Sequence, residues 1–237
     1  MRDLLLEASG LHSYYGASHV LRGVDFAVRE GEAVGLMGRN GMGKTTLIRT
    51  MLGIVVARSG TVRVRGHDTT GWPTFRIARH GIAYVPEGRG IFPNLSVLEN
   101  LEMAARPAPD GRRDWTVARV LETFPRLAQR LAHGGAQLSG GEQQMLTIGR
   151  ALCTNPSLLI LDEATEGLAP MIAKEIWRIV GEIRGAGIAT VIVDKNYAHV
   201  TASTDRNVVL VKGQVAYVCD SATARADPGA LAAYLGV

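Results

Sequence analysis

Gly38-Arg39-Asn40-Gly41-Met42-Gly43-Lys44-Thr45 fits the pattern G-x-x-x-x-G-K-[ST], and this stretch decides the fold. The run before it, EAVGLM (32–37), is short and apolar and reads as a buried strand. The run that includes its last residue, TTLIRTML (45–52), reads as a helix. A glycine-rich loop between a strand and a helix suits a phosphate group. The glycines let successive backbone N–H groups curl around it, and the helix turns its positive end toward it. Lys44 adds a point charge for the β- and γ-phosphates, and the Thr45 hydroxyl is placed to hold Mg²⁺. Gly38, Arg39, Asn40, Gly41, Met42, Gly43, Lys44, Thr45 and Thr46 are therefore the expected nucleotide-binding run.

A second acidic site follows much later. LLILDEA (158–164) is an apolar strand that ends in two acids. Asp162 at the strand end is placed to reach the Mg²⁺ shell. Glu163 is placed to orient and deprotonate a water for in-line attack on the γ-phosphate.

Further from the loop, LLLEAS (4–9), VDFAV (24–28) and TVRVRG (61–66) alternate like antiparallel strands. IAYVP (82–86) reads as another short buried strand. From Glu99 to about Leu131 the chain carries helical spacing, in ENLEMAAR (99–106) and DWTVARVLETF (114–124), broken at PAPDGRR (107–113), and roughly 88–155 is expected to be a mostly helical insertion. Strand SLLILD (157–162), helix 171–184 and strand IATVIVD (188–194) then resume an α/β alternation. A hairpin turning at Lys212-Gly213 and a short helix near 228–234 end the chain. One 1–237 domain results, with a core at about 1–87 and 156–237.

Composition narrows the class. A 20% charged and 46% hydrophobic chain of 237 residues can bury its own core. Two cysteines make no disulfide framework. No signal peptide is legible, and the longest charge-free run, Ala8–Leu21, is too polar to span a bilayer. A net charge of +4 with no basic tract argues against a nucleic-acid partner.

Leu138-Ser139-Gly140-Gly141-Glu142-Gln143-Gln144 separates one phosphate-loop class from another. Ser-Gly-Gly before a helix offers a second anion site, and Ser139 lies 23 residues before Asp162. LSGGEQQ between the phosphate loop and the acidic strand resembles the signature of ABC-type ATPases. The resemblance covers nearly the whole chain. It implies a RecA-like α/β P-loop core with an N-terminal antiparallel β-subdomain and an inserted helical subdomain. It also implies two subunits paired head to tail with ATP between them, so that Ser139 and Gly141 touch the γ-phosphate held by the partner. An aromatic before a glycine stacks on adenine in this family. Tyr15 before Gly16 matches, with Tyr14 as its competitor.

YVPEGRGIFPNLSVLENL (84–101), MLTIGRAL (145–152), EGLAP (166–170) and the terminal YLGV narrow the match. They resemble the ATPase subunits of branched-chain amino-acid importers of the LivF type, with urea/amide importer ATPases as the alternative. The implied partners are membrane permeases and, indirectly, a periplasmic solute-binding protein. The implied place is the cytoplasmic face of the inner membrane. A soluble repair or translation ATPase of this family would usually need coiled-coil arms or two cassettes. A sensor that binds ATP without turnover would not need Glu163. Two positions depart from the family pattern. Glu87 stands where most members have a Gln that binds Mg²⁺ and water, and Lys195 stands where most have a His. Together they keep a neutral charge sum and are expected to act as a pair. Ile91, Phe92 and Leu95 are expected to form an exposed docking loop for the permease.

Overall fold

The computed structural model describes residues 3–235, so the last two residues of YLGV, Gly236 and Val237, lie outside the described residues. The chain begins β1 (Leu4–Tyr15), β2 (Ser18–Arg29), β3 (Ala33–Met37), α1 (Lys44–Met51), β4 (Ser59–Val64), β5 (His67–Asp68), α2 (Thr74–Ala78) and β6 (Ile82–Val85). It continues through α3 (Val97–Ala104), α4 (Val117–Thr123), α5 (Pro125–Ala128) and α6 (Gly140–Cys153). Then come β7 (Leu158–Asp162), α7 (Pro170–Gly185), β8 (Ala189–Val193) and α8 (Tyr197–Ala202). β9 (Arg206–Val211), β10 (Gln214–Asp220), α9 (Ser221–Ala226) and α10 (Pro228–Leu235) follow.

Six strands make the central sheet, in the order β10-β9-β3-β8-β7-β6. All neighbours pair in parallel except β10, which returns antiparallel on the edge. β3, β7 and β8 are buried at every position. A parallel strand covered on both faces must be apolar throughout, which is why these three read as continuous apolar runs. Successive side chains of β7 serve opposite faces. Leu158 and Ile160 pack with Leu47, Ile48 and Met51 of α1, while Leu159 and Leu161 pack with Ile176, Ile179 and Ile183 of α7. The antiparallel sheet β2-β1-β4-β5 shares the α1 side through Leu6, Leu11, Val24 and Val62.

Parts of the chain differ from the sequence expectation. β1 and β2 run for twelve residues each, well past LLLEAS and VDFAV. Register shifts interrupt their alternation, which hides the period in the sequence. Between 88 and 155 the helices are fewer than the spacing suggested. The break read at 107–113 is wider in the structure: no helix covers 105–116, where buried Asn155 holds the coil, accepting from Trp115 N at 2.7 Å and donating to Arg106 O at 2.9 Å. The helix read in DWTVARVLETF starts only at Val117, where the Thr116 hydroxyl accepts from Arg119 N at 3.2 Å. Short helices α2, α8 and α9 were not legible from periodicity.

The sheet order sets the site. The C-terminal ends of β3, β8, β7 and β6 lie side by side, and ligands of open parallel sheets bind outside those ends. The residues that leave them are Gly38, Asp194-Lys195, Asp162-Glu163 and Pro86-Glu87.

Candidate nucleotide site

Buried β3 leads straight into Gly38, whose φ is +139°. A Cβ there would sit 2.4 Å from the Leu210 carbonyl oxygen of β9, so only glycine fits. The β9–β10 turn backs the loop from below, with Gly213 N donating to Met42 O at 3.1 Å. Gly213 is itself obligatory, because a Cβ would lie 1.8 Å from Val20 O. Lys44 opens α1 and is 8% exposed. Its Nζ donates to Gly38 O at 2.8 Å and Arg39 O at 3.2 Å. Burial lowers its pKa, and the carboxylates of Glu163 and Asp162 oppose that.

Above the loop lies a cleft of ≈ 480 Å³. Asn40, Gly41, Gly43, Lys44, Thr45 and Thr46 line its floor, and Glu87, Glu163, Glu166 and Lys195 line its lip. Asp162 is fully buried beneath them. Its Oδ1 accepts from Thr45 Oγ1 at 3.4 Å, and its Oδ2 accepts from the Tyr84 hydroxyl at 3.0 Å. Burial pushes the Asp162 carboxyl up, and those two hydroxyls pull it partly back. Hydroxyl and carboxylate oxygens with no nitrogen or sulfur suit a hard cation such as Mg²⁺.

Glu163 holds φ +51°, a strained value for a residue with a side chain. Its N–H donates to Val193 O of β8 at 2.8 Å, which fixes the turn. Burial, then the neighbouring Glu166, push its carboxyl up to about 7. A general base works best when its pKa lies near the working pH. Lys195 Nζ bonds Glu166 and lies 3.8 Å from Glu163. Carboxylate oxygens of Glu87, Glu163 and Glu166 all lie within 4.8 Å of one another. The expected Glu87–Lys195 pair is thus not a direct contact: Lys195 is bonded to Glu166 and feels Glu87 only through its field.

The sequence profile of the ABC transporter family matches residues 21–166. The chain belongs to this family. The branched-chain amino acid transport ATP-binding protein BraG of Pseudomonas aeruginosa is 40% identical over 232 residues, covering 98% of this chain and all of that one. The lipopolysaccharide export ATP-binding protein LptB of Escherichia coli K12 is 33% identical over 213 residues, 89% of this chain and 88% of that one. The ADP conformation of an ATP-binding cassette of an ABC transporter superposes with a TM-score of 0.82 at 26% identity, covering 99% of this chain and all of that one. The family assignment carries nucleotide binding and the ATPase class with it.

Within this ABC cassette the signature lies outside the cleft. Ser139 caps α6, its Oγ accepting from Glu142 N at 3.3 Å while Glu142 accepts from Ser139 N at 2.8 Å. Ser139 stays exposed. Gly141 is buried, and a Cβ there would meet Ile172 at 2.7 Å. Tyr14 is enclosed between the His19 ring at 4.2 Å and the Arg58 guanidinium at 5.1 Å. Tyr15 is 47% exposed, and it does not line the cleft itself.

Sequence reasoning missed several groups. Glu166 and Asp194 tie the lip loops together: Asp194 accepts from the Thr165 hydroxyl and from Asn196 N. Their signal was only a charge in a loop. Asn100, fully buried in α3, accepts from Phe92 N at 3.0 Å and donates to Phe92 O, Leu95 O and Ser96 O. A polar residue in the apolar run VLENL could have pointed to it. Of the expected docking loop, only Phe92 is exposed; Ile91 and Leu95 are half-buried.

Proposed function

We propose that this ABC cassette powers uptake of branched-chain or related amino acids through separate membrane permeases. What carries the reading is the likeness to BraG along its whole length, together with the acid-ended strand beside the phosphate loop. Urea or amide uptake is the competing cargo, since cargo choice lies in other chains. The 33% likeness to a lipopolysaccharide export protein supports keeping cargo a matter for experiment.

In this reading Gly38–Thr46 hold the phosphates, and exposed Tyr15 supplies the face for adenine. Thr45, Asp162 and Glu87 would hold Mg²⁺. Bound there, the ion would draw off charge from the β- and γ-phosphates. Lys44 moves from its own carbonyls to the phosphates. Glu163 orients the attacking water and takes its proton. Lys195 leaves Glu166 to contact the γ-phosphate as a flexible point charge. A second ATPase subunit, alike or related, presents its own Ser139-Gly141 segment to complete the site.

No helix among the described residues is long and apolar enough to cross a membrane. The likeness to BraG supports a peripheral place at the cytoplasmic face of the inner membrane, on a permease. The segment 88–155 serves as the docking unit. A groove of ≈ 240 Å³ beside it is lined by Tyr84, Pro86, Gly90, Arg106, Thr147 and Arg150. Phe92, 46% exposed with the Arg150 guanidinium over its ring at 4.5 Å, stands at its edge. The test is uptake of labelled leucine and of labelled urea by cells lacking this chain and resupplied with it. Leucine uptake restored by the wild type, and not by Lys44→Ala, is the expected result. Phe92→Asp should leave ATPase activity of the purified chain and abolish uptake. Restoration of urea uptake alone would overturn the cargo; normal uptake with Phe92→Asp would overturn the docking place.

A further inference from the structure

Tyr84 opens the 84–101 run and Arg49 lies on α1 behind the phosphate loop, and neither has a role in the site described so far. Tyr84 lies on β6, the strand next to β7, and its hydroxyl donates to Asp162 Oδ2 at 3.0 Å. Thr45 donates to the other oxygen. Each oxygen of a fully buried carboxylate thus has one hydroxyl donor. On the outer side the Arg49 guanidinium of α1 lies against the hydroxyls of Tyr15 and Tyr84, which hold its own pKa up. Hydrogen bonds thus run Tyr84–Asp162–Thr45, from β6 to the base of the phosphate loop.

Mg²⁺ tolerates little departure from octahedral geometry, so a carboxylate that serves it has to be aimed. Hydrogen-bond partners do that aiming in metal sites generally. A carboxylate's terminal torsion is broad and does not fix itself. We propose that Tyr84 is a positioning residue that fixes the Asp162 carboxylate for the divalent cation. This rests on the reading that Asp162 holds Mg²⁺.

The experiment measures the affinity of the purified chain for ATP with excess Mg²⁺ and with EDTA, for wild type, Tyr84→Phe and Arg49→Gln. Melting temperatures are recorded alongside, since Phe keeps the ring and its packing. Removing a partner that orients a metal ligand typically costs about 10–100-fold. Tyr84→Phe should therefore lower the gain in affinity that Mg²⁺ gives by roughly tenfold, with EDTA affinity and melting temperature unchanged. Arg49→Gln should lower it by less. An undiminished Mg²⁺ gain in Tyr84→Phe would overturn the proposal. So would equal weakening with and without Mg²⁺, which would show a role in packing alone. A wild type that binds ATP equally with Mg²⁺ and with EDTA would sink the metal reading of Asp162 itself, and the proposal with it.

Discussion

The floor of the cleft and its lip are built on opposite principles. The floor groups Gly38, Lys44 and Asp162 are buried, and the main chain fixes the loop. Lys44 bonds carbonyls of its own turn, and the Lys212-Gly213 turn backs it from below. The lip groups Glu87, Glu163, Glu166 and Lys195 come from three different loops and hold one another by charge. Three of them are exposed. A floor set by backbone tolerates only certain residues at certain places. A lip set by side-chain pairing depends on which loops happen to meet. Substitutions in the floor should therefore cost binding or fold, and substitution of the lip base Glu163 should cost turnover alone.

The largest effect belongs to Glu163→Gln. It should keep ATP affinity and lose phosphate release by about 10²–10⁴-fold, the usual cost of a missing general base. Steady-state phosphate release and ATP affinity are measured separately. Lost affinity would show that Glu163 belongs to the floor, and wild-type release would remove it as the base.

Gly38→Ala is the matching test below. The new Cβ would meet Leu210 O at 2.4 Å, on a backbone whose φ of +139° already excludes side chains. Forcing a residue into such a region costs about 1–3 kcal/mol before any clash is counted. The melting temperature should fall and ATP binding with it. A variant that melts and binds like wild type would break the contrast between the two regions.

The same contrast explains what the sequence could be made to tell. Strands β3, β7 and β8 were legible because burial on both faces forces an unbroken apolar run. The phosphate loop was legible because Gly38 and Lys44 answer to the main-chain path. Glu166 and Asp194 were not, since a loop carboxylate looks the same in sequence whether or not another loop reaches it. Tyr84 was read as a strand residue and as the start of the 84–101 run, with no role in the site, because pairing with Asp162 depends on β6 lying next to β7. The coil at 105–116 was legible only at its Pro/Gly/Asp centre, 107–113; its full extent was not, because its support, Asn155, lies 40 residues beyond Trp115.

Tyr14 and Tyr15 stayed equivalent in sequence and separate in the structure. The Tyr14 ring is already engaged, by His19 and by Arg58, whereas Tyr15 is open. Stacking of a base on an aromatic ring is worth about 1–3 kcal/mol. Tyr15→Ala should weaken ATP binding about tenfold, while Tyr14→Ala should leave it nearly unchanged. Competition by ATP against a fluorescent nucleotide reads both. The reverse result would assign adenine to Tyr14 and leave Tyr15 to Arg49 alone.

The smallest effect is the sharpest probe of the lip. Charge balance predicts that Lys195 works with Glu87, replacing a neutral pair by one that sums to zero. Contact geometry predicts Glu166 instead, because Lys195 bonds it directly and lies 3.8 Å from Glu163. Two double-mutant cycles on the ATPase rate separate these views. One combines Lys195→Ala with Glu166→Gln, and the other combines Lys195→Ala with Glu87→Gln. Pairs in contact are non-additive, while groups without shared partners add. Exposed pairs couple weakly, so the Glu166 cycle should show coupling below about fivefold, with the Glu87 cycle additive within error. Some coupling is expected because three carboxylates within 4.8 Å repel one another, and Lys195 is the cation bonded among them. Removing it exposes that repulsion, and neutralising Glu166 relieves it. Coupling to Glu87 with none to Glu166 would mean that the charge sum, not the contact, chooses the partner. The lip would then be as readable from sequence as the floor.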